Sequence, residues 1–313
     1  MGKISVAMTT YNGEAYLLPQ LQSLLNQTRQ ADEVVICDDR SEDATVSLIR
    51  SFIEEHGLSH WRLIENRRNL GYIHNFRKAM METTGDLVFL CDQDDIWAED
   101  KIRILQQQME ENPQIDALVS GYSLIDGAGK PLQSDEKHFY NPEPGANLLS
   151  PVKSGRVLYR NMAQGCTGVY RRSLLERYVE CDNTTALAHD WALHFLAYEG
   201  NALFFWNQEL VLYRIHSKNT TGIDRTSREN VLRKDMYALE DCLLLPIKEE
   251  SKLELQRILA FYRIRIQWLT THSLSVWIRG WRCCLKLKFG IFVMQYIKDF
   301  LWVFLGCKSS AED

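Results

Sequence analysis

Short apolar segments alternate with amphipathic segments over the first 120 residues, and this alternation restricts the choice of fold more than any other feature. The apolar segments are predicted strands at residues 4–8, 33–37, 61–64, 87–91 and 117–120. The segments between them carry apolar residues at helical spacing and are predicted helices at about 14–27, 41–53, 73–80 and 101–111. Strands that alternate with helices form parallel sheets, and we therefore predict an α/β fold with a mostly parallel sheet and flanking helices.

The second half of the chain changes in character. Residues 126–155 are rich in glycine and proline and are expected to form loops near a substrate. A purely helical pattern begins near Ser227. We predict a sheet domain at residues 1–226 and a helical C-terminal region at 227–313. The elements predicted between the loops and the helical region are a helix at 189–198 and strands at 202–206 and 210–213.

Three carboxylates directly follow the predicted strand at residues 87–91, namely Asp92, Asp94 and Asp95. In open α/β sheets the carboxyl ends of the strands face the ligand crevice. Neighbouring carboxylates repel each other and lose hydration when they are buried, and a divalent cation offsets both costs. Mg²⁺ or Mn²⁺ takes carboxylate oxygens together with substrate phosphates. The acids therefore predict a metal–diphosphate site, and a helix N-cap cluster is the alternative interpretation.

The charge and the cysteines restrict the partners and the compartment. A formal net charge of −5 argues against a general nucleic-acid binder. None of the eight cysteines belongs to a C-x-x-C pair, which favours a reducing compartment. The first predicted strand begins at Ile4 without a signal-peptide pattern, and no apolar run approaches the ~18–20 residues that span a bilayer. We therefore expect a cytoplasmic protein.

Several motifs occur in an order that is typical of one enzyme family. They lie at residues 5–12, 35–45, 69–76, 85–86, 91–97, 189–191 and 210–219. Together they resemble bacterial family 2 glycosyltransferases over roughly residues 1–220, and the D-Q-D-D-I-W element is similar to that of rhamnosyltransferase-like enzymes of polysaccharide biosynthesis. The resemblance implies a GT-A type, Rossmann-like fold, with residues 1–226 as the catalytic domain. It also implies transfer of a sugar from a nucleotide diphosphate to an acceptor hydroxyl.

The resemblance gives the acids individual roles. Asp94 would bind the metal, Asp92 would contact the metal or the ribose, and His216 would be a metal or diphosphate ligand. A third acid, Asp95, departs from the family motif and leaves the choice between Asp94 and Asp95 open. An ordinary surface histidine is the alternative interpretation of His216.

The resemblance also implies a general base and a nucleotide pocket. Inversion at the anomeric carbon needs one base opposite the leaving group, and this role falls to Asp190. His189 stands where the family has an acid, and it either tunes the base or shapes the pocket. A helix cap is the alternative interpretation of Asp190. The nucleotide-binding residues that the resemblance implies, besides Asp92, are Thr9 and Tyr11 in the base pocket, Asp39 on the nucleobase and Arg68 near the phosphates.

The sequence thus predicts an inverting, metal-dependent glycosyltransferase of surface polysaccharide synthesis. The expected donor is dTDP-rhamnose or a UDP-hexose, and the expected acceptor is a glycan or an undecaprenyl-linked glycan. A sugar-1-phosphate nucleotidyltransferase is an alternative that shares the sheet, but the turn at residues 11–14 lacks the basic residues of its glycine-rich loop. A non-catalytic nucleotide-sugar-binding assembly subunit would keep the sheet and lose the base.

Residues 276–308 combine aromatic side chains with six lysines or arginines against a single aspartate. As a helix, Lys288, Gln295 and Asp299 fall in one polar stripe beside a broad apolar surface. This pattern is typical of a helix in a membrane interface and predicts a peripheral location on the inner face of the cell membrane. The alternatives are helices that pack on the catalytic domain or form a dimer contact, and the oligomeric state is left open.

Overall fold

The computed structural model describes residues 2–132, 147–153, 155–181, 186–217, 228–287 and 291–305. The chain forms two compact units. The first comprises Met1–Lys153, Asn161–Glu180 and His189–Asn219, and the second comprises Ser154–Arg160, Cys181–Ala188 and Thr220–Asp313. The domain boundary after residue 226 stays a prediction, as does the part of the predicted loop region 126–155 that falls on residues 133–146 and 154, outside the described residues.

The first unit is built on one mixed sheet. Its strands are β1 (Ile4–Thr10), β2 (Glu33–Asp38), β3 (Trp61–Glu65), β4 (Leu87–Cys91), β5 (Ile96–Trp97), β6 (Ala117–Ile125), β7 (Leu149–Pro151), β8 (Gly168–Arg171) and β9 (Leu203–Arg214). They are arranged in the order β3-β2-β1-β4-β8-β6-β9-β5, and β7 pairs with β9. The four strands from β3 to β4 are parallel, as are β6 and β9. The predicted α/β class with a mostly parallel sheet is confirmed.

Two details of the sheet differ from the prediction. The short strand β8 lies between β4 and β6 and is antiparallel to both, so the predicted fourth and fifth strands are not neighbours. The two strands predicted at 202–206 and 210–213 form the single strand β9. The polar residues between them do not end the strand, because register shifts on either side of Gly121 in β6 absorb the irregularity.

Helices cover the sheet. Those of the first unit are α1 (Leu17–Leu25), α2 (Thr45–Glu55), α3 (Tyr72–Glu82), α4 (Lys101–Glu111), α5 (Arg172–Glu180) and α6 (His189–Glu199). The start of α2 differs from the prediction, because Ser41 does not cap the helix. Its N–H and hydroxyl donate to Asp38, at 2.8 and 2.6 Å, and the helix begins four residues later. The strands β1 and β4 are buried along their whole length, as expected for a sheet covered on both faces.

The second unit is helical, as predicted, with α7 (Arg228–Cys242), α8 (Glu249–Thr271), α9 (Leu274–Cys284) and α10 (Ile291–Leu305). The polar stripe of α10 does not face solvent. Asp299 is fully buried and accepts from Arg265 Nε of α8 at 2.6 Å, and Gln295 accepts from the same guanidinium at 3.0 Å. A buried acid is tolerated there because a cation on the neighbouring helix satisfies it. Lys288, the third residue of the stripe, lies outside the described residues.

Two aromatic side chains of α10 also point into the interior of the second unit. Phe292 and Tyr296 are fully buried, and their rings lie 5.6 and 5.4 Å from the ring of Phe261. These rings stabilise helix packing and are not available as anchors in a membrane interface. Among the helices in the described part of the chain, none has the length and hydropathy to cross a bilayer.

Candidate active site

The carboxyl ends of three adjacent parallel strands form the edge on which the candidate site lies. Thr9 of β1 is in register with Cys37 of β2, and Met8 is in register with Cys91 of β4. The polar segments that follow these strands therefore leave the sheet side by side. Residues 92–95, which we call the acid loop, follow β4, the strand at one side of this group.

Asp92 and Asp95 of the acid loop lie close together. One ligand atom from each, together with the thiol sulfur of Cys166, all lie within 4.8 Å of one another. Asp95 is fully buried, and its Oδ1 accepts the backbone N–H of Arg214 at 3.0 Å. Its Oδ2 has no hydrogen-bond partner. A buried carboxylate oxygen without a donor is costly, and it is the kind of atom that a cation or a proton would satisfy.

The pKa values of Asp92 and Asp95 are strongly raised. Burial, followed by the charges of Asp95 and Asp94, raises the pKa of Asp92 well above its usual range. Burial and the Asp94 charge raise the pKa of Asp95 to about 7. Burial also raises the pKa of the Cys166 thiol well above its ordinary value, which keeps the sulfur protonated. The donor set that remains consists of carboxylate oxygens, and it fits a hard divalent cation.

Asp94 contacts a different partner from Asp92 and Asp95. Its Oδ2 lies 2.8 Å from Nε2 of His216, whose ring stacks on Tyr16 with the ring centroids 4.3 Å apart. Arg214 holds this arrangement, because its Nε donates to the carbonyl oxygen of Asp94 at 2.7 Å and its guanidinium lies over the Tyr16 ring at 5.2 Å. The structure thus brings two predicted metal ligands into direct contact. The role of Arg214 was not predicted, because no local sequence signal links this residue to the acids 120 positions before it.

A buried lysine lies behind the acid loop. Lys101, at the start of α4, is fully buried, with Nζ 3.4 Å from the centroid of the Trp97 ring and donating to the carbonyl of Cys166. Burial lowers the pKa of Lys101 to about 8, against the raising effect of Asp95 and Asp92. Lys101 provides a positive charge close to the buried acids Asp92 and Asp95. No sequence signal marks it, because lysines at helix starts are common on surfaces.

Gln93 connects the acid loop to the loop that follows β1 through two hydrogen bonds. Its Oε1 accepts the N–H of Tyr11 at 2.8 Å, and its Nε2 donates to the carbonyl of the same residue at 3.0 Å. Gly13 makes room for this tie, since a Cβ there would lie 2.1 Å from Gln93 Oε1. Gln93 therefore has a structural role at this site.

The motif at residues 35–45 supports the loop after β1 through side chains that accept its backbone N–H groups. Ser41 Oγ accepts the N–H of Asn12 at 2.9 Å, and Thr45 Oγ1 accepts that of Gly13 at 2.8 Å. The loop needs this support because Asn12 has a φ of 47°, in the left-handed region. Asp38 at the end of β2 belongs to the same support, since its carboxylate accepts both hydrogen bonds from Ser41.

Asp39 faces the loop at residues 66–71. Its Oδ1 accepts from Asn66 Nδ2 at 2.9 Å and from the N–H of Leu70 at 2.7 Å, and its Oδ2 accepts the N–H of Gly71 at 2.8 Å. Oδ2 therefore keeps capacity for one more donor. The remaining predicted nucleotide-binding residues lie on the same or adjacent loops, with Arg68 and Tyr11 exposed and Thr9 buried at the end of β1.

Asp190, the predicted base, lies in the first turn of α6 and is 7% exposed. Its Oδ2 accepts from Asn161 Nδ2 at 2.8 Å and from the N–H of Gly165 at 3.1 Å, and its Oδ1 accepts the N–H of Trp191 at 2.8 Å. Burial and the Asp190 charge raise the pKa of Tyr72, a 40% exposed residue of α3. The Asp190 charge also raises the pKa of Asp92, after burial and the charges of Asp95 and Asp94. The Gly165 N–H contacts Asp190, and the thiol of the next residue, Cys166, lies beside Asp92 and Asp95, so the base candidate and the acid loop belong to one site.

His189 forms part of the wall beside Asp190. Its ring stacks on Phe76 at 4.0 Å and meets Tyr72 edge-on at 6.4 Å. Burial lowers the pKa of His189 and keeps the imidazole neutral near pH 7. Its packing favours the interpretation that His189 shapes the pocket.

Comparison with known proteins identifies the family. The sequence matches the profile of Glycosyl transferase family 2 over residues 5–178, more than half of the chain. The chain therefore belongs to glycosyl transferase family 2, and the predicted family is confirmed. It is 27% identical over 232 residues to dTDP-rhamnosyl transferase RfbG of Shigella flexneri, covering 69% of this chain and 73% of the relative. It is 25% identical over 296 residues to the uncharacterized glycosyltransferase alr2836 of Nostoc, covering 89% of each.

Solved structures of similar shape agree in fold. S. aureus TarS 1–349 in complex with UDP-GlcNAc has a TM-score of 0.62 at 19% identity, covering 89% of this chain and 79% of TarS. The mannosyltransferase PcManGT from Pyrobaculum calidifontis, in complex with GDP-Man and Mn²⁺, has a TM-score of 0.58 at 16% identity, covering 96% and 85%. At these identities the likeness shows the fold alone, and it confirms the predicted GT-A type.

Proposed function

We propose that this glycosyltransferase is metal-dependent and inverting, and that it transfers a sugar from a nucleotide diphosphate to a glycan or an undecaprenyl-linked acceptor during surface polysaccharide synthesis. The observation that carries the proposal is that neighbouring residues contact both parts of the site: the Gly165 N–H donates to Asp190, and the Cys166 sulfur lies within 4.8 Å of ligand atoms of Asp92 and Asp95. One part of this site suits a cation and a diphosphate, and the other suits a hydroxyl that must lose a proton.

Asp92, Asp94 and His216 are the residues that would hold Mg²⁺ or Mn²⁺. Asp94 and His216 already contact each other at 2.8 Å, with side chains 15% and 8% exposed, whereas Asp95 is fully buried and accepts the N–H of Arg214. We therefore assign the ligand role to Asp94 and a supporting role to Asp95. When bound, the cation would offset the charge that develops on the leaving diphosphate.

The loops around the acid loop would bind the nucleotide. Tyr11 is 47% exposed and its backbone is fixed by Gln93, so its ring is available to a nucleobase. Thr9 would complete this pocket. Asp39 Oδ2 has capacity for the N–H of a pyrimidine, and Arg68 would approach the phosphates from its exposed loop.

Asp190 would act on the acceptor. As the acceptor oxygen forms its bond to the anomeric carbon, the proton of that hydroxyl passes to the Asp190 carboxylate. The bond between the anomeric carbon and the phosphate oxygen breaks, and its electron pair leaves with the nucleoside diphosphate. A single displacement of this kind inverts the configuration. The name of the Shigella relative supports dTDP-rhamnose as the first donor to test, with UDP-hexoses next.

The location that we propose is cytoplasmic and peripheral on the inner face of the membrane, and α9 provides the surface. Leu274 and Ile278 lie about one turn apart on α9, Leu285 follows its last residue, and all three are exposed. The exposed basic residues nearby are Arg279 and Arg282 of α9 and Lys286 just beyond it. We call these six residues the α9 face. α9 has no acid, which suits anionic lipid headgroups.

A panel of nucleotide sugars tests the proposed function. Thermal stabilisation by one nucleotide class, and only with Mn²⁺ present, is the expected result, since a ligand that binds the folded state raises its stability. The stabilising donor is then incubated with membrane extracts, and release of a nucleoside diphosphate is expected. Release of pyrophosphate from a nucleoside triphosphate and a sugar 1-phosphate would instead support the nucleotidyltransferase. Donor binding without any turnover would support the non-catalytic subunit.

A further inference from the structure

A continuous series of hydrogen bonds leads away from Asp190 into the interior of the first unit. Asn161 Nδ2 donates to Asp190 Oδ2 at 2.8 Å. The Oδ1 atom of the same amide lies 3.0 Å from Nδ1 of His194, and Nε2 of His194 lies 2.9 Å from the hydroxyl of Tyr170. His194 is 1% exposed and Tyr170 is fully buried. We call Asn161, His194 and Tyr170 the support chain.

The direction of every hydrogen bond in the support chain follows from its chemistry. A carboxylate only accepts, so the NH₂ group of Asn161 faces Asp190 and its carbonyl oxygen faces His194. His194 Nδ1 must therefore carry a proton. Burial lowers the pKa of His194 to about 4, so the ring is neutral and its Nε2 is an acceptor for the Tyr170 hydroxyl. One arrangement of protons satisfies all three side chains.

The contacts also distinguish the two oxygens of Asp190. Oδ2 accepts two hydrogen bonds, from Asn161 and from the N–H of Gly165, whereas Oδ1 accepts one, from the N–H of Trp191. Gly165 permits this close approach, because a Cβ there would lie 3.1 Å from Asp190 Cβ and 3.2 Å from His189 Nε2. The oxygen with remaining capacity for a donor is Oδ1.

We infer that Asn161, held by His194 and Tyr170, is a positioning residue that fixes the Asp190 carboxylate so that Oδ1 receives the proton of the acceptor hydroxyl. The inference rests on the proposed function and names the reacting atom within it. In the transfer step the acceptor O–H bond breaks, its proton goes to Oδ1, and the oxygen forms the glycosidic bond as the nucleoside diphosphate leaves.

The support chain orients the base and does not conduct its proton away. It ends at Tyr170, which is sealed from solvent and whose pKa is raised well above its ordinary value by burial, then by Asp190. A hydroxyl that keeps its proton cannot accept one through His194. Loss of the support chain would therefore change the orientation of Asp190, and a base that turns by one rotamer no longer faces the attacking hydroxyl.

Kinetics of three variants test the role of the support chain. Asn161→Ala is expected to lower kcat at least about tenfold while the KM for the donor stays unchanged, because only the orientation of the base is lost. Tyr170→Phe, at the far end, is expected to lower kcat by a smaller factor. Tyr178→Phe is the matched control, a fully buried tyrosine of α5 outside the chain, and is expected to behave as wild type. Loss of donor affinity together with kcat in Asn161→Ala would instead indicate a merely structural role and overturn the inference.

An NMR measurement tests the proton arrangement without any need for turnover. In protein labelled with ¹⁵N-histidine, the His194 ring, assigned by comparison with His194→Gln, is expected to be the neutral tautomer with the proton on Nδ1 at pH 7. A proton on Nε2, or an imidazolium, would overturn the inference. An inactive wild-type enzyme would refute the proposed function, whereas an active wild type with an unimpaired Asn161→Ala variant would refute the inference alone.

Discussion

Binding of a divalent cation to the acid loop should become tighter as the pH rises from 6 to 8. The pKa of Asp95 is about 7, raised from 3.8 by burial and by the neighbouring Asp94 charge. Asp95 would thus be ionised in about one tenth of the molecules at pH 6 and about nine tenths at pH 8. If a cation beside Asp92 favours the ionised form of Asp95, its affinity should rise about tenfold, or about 1.4 kcal/mol. Asp92, with a pKa raised by the same causes, acts in the same direction.

The raised pKa of Asp95 has the opposite effect on the stability of the metal-free protein, which falls as the pH rises. The folded-state pKa of Asp95 lies above the unfolded value, so the folded state binds more protons between pH 4 and 7. Stability from this group is therefore present at low pH and is lost as the pH rises through 7. A bound cation offsets the loss, and the stabilisation by Mn²⁺ should be larger at pH 8 than at pH 6.

Isothermal titration with Mn²⁺ at pH 6 and pH 8 measures the effect directly. Asp95→Asn is the matched control, because it keeps an acceptor for the Arg214 N–H and removes the titrating charge. The variant should retain only the part of the pH dependence that comes from the other groups of the site, such as Asp92. Equal affinity at both pH values in the wild type, or the same pH dependence in the variant, would refute the reasoning.

Other contacts give predictions of their own. Between pH 7 and pH 5 the wild type should lose about 2 kcal/mol of stability through His194, whose folded pKa of about 4 lies below its unfolded value, and urea unfolding of His194→Gln should show a smaller loss. Gly13→Ala should destabilise the fold by about 1 kcal/mol and weaken donor binding, because the Gln93 side chain must move away from Tyr11, and thermal unfolding should show partial rescue in the double variant with Gln93→Ala. Reversing the three basic residues of the α9 face to glutamate should weaken binding to anionic vesicles at least about 100-fold in a sedimentation assay, whereas reversal of three exposed or half-buried lysines of the same unit should change it far less. Those control residues are Lys234, Lys248 and Lys252. The first argument would be contradicted by a stability loss that His194→Gln does not reduce, and the second by an absence of rescue in the double variant. Equal vesicle binding by the two triple variants would contradict the third.

The sheet edge was predictable from the sequence because its elements are local. A strand buried on both faces is a continuous apolar run, and the strand Leu87–Cys91 was found with its predicted bounds. The acids that follow it mark the edge directly. The insertion of β8 between β4 and β6 was not predictable in this way, since the order of strands depends on contacts between distant segments and not on local periodicity.

Polar residues that are buried with partners were the hardest to interpret from sequence. The sequence pattern predicts that Asp299 lies in a solvent-exposed polar stripe. In the structure Asp299 is buried and accepts a hydrogen bond from Arg265 of another helix. Asn161 and His194 are 33 positions apart, and no spacing rule links them to the base. A hydrophobic pattern assigns polar side chains to the surface, and only tertiary contacts show where a partner makes burial tolerable.

The role of Asp190 is the central claim, and turnover by Asp190→Asn tests it most directly. Asparagine keeps the shape of the side chain, and its amide oxygen can still accept from Asn161 and from the Gly165 N–H, but it cannot take the acceptor proton. With the donor from the nucleotide panel and saturating Mn²⁺, release of the nucleoside diphosphate should fall by about 10²- to 10⁴-fold while the donor dissociation constant stays unchanged. Release at a rate near that of the wild type would contradict the assignment of the base and, with it, the mechanism proposed for this site.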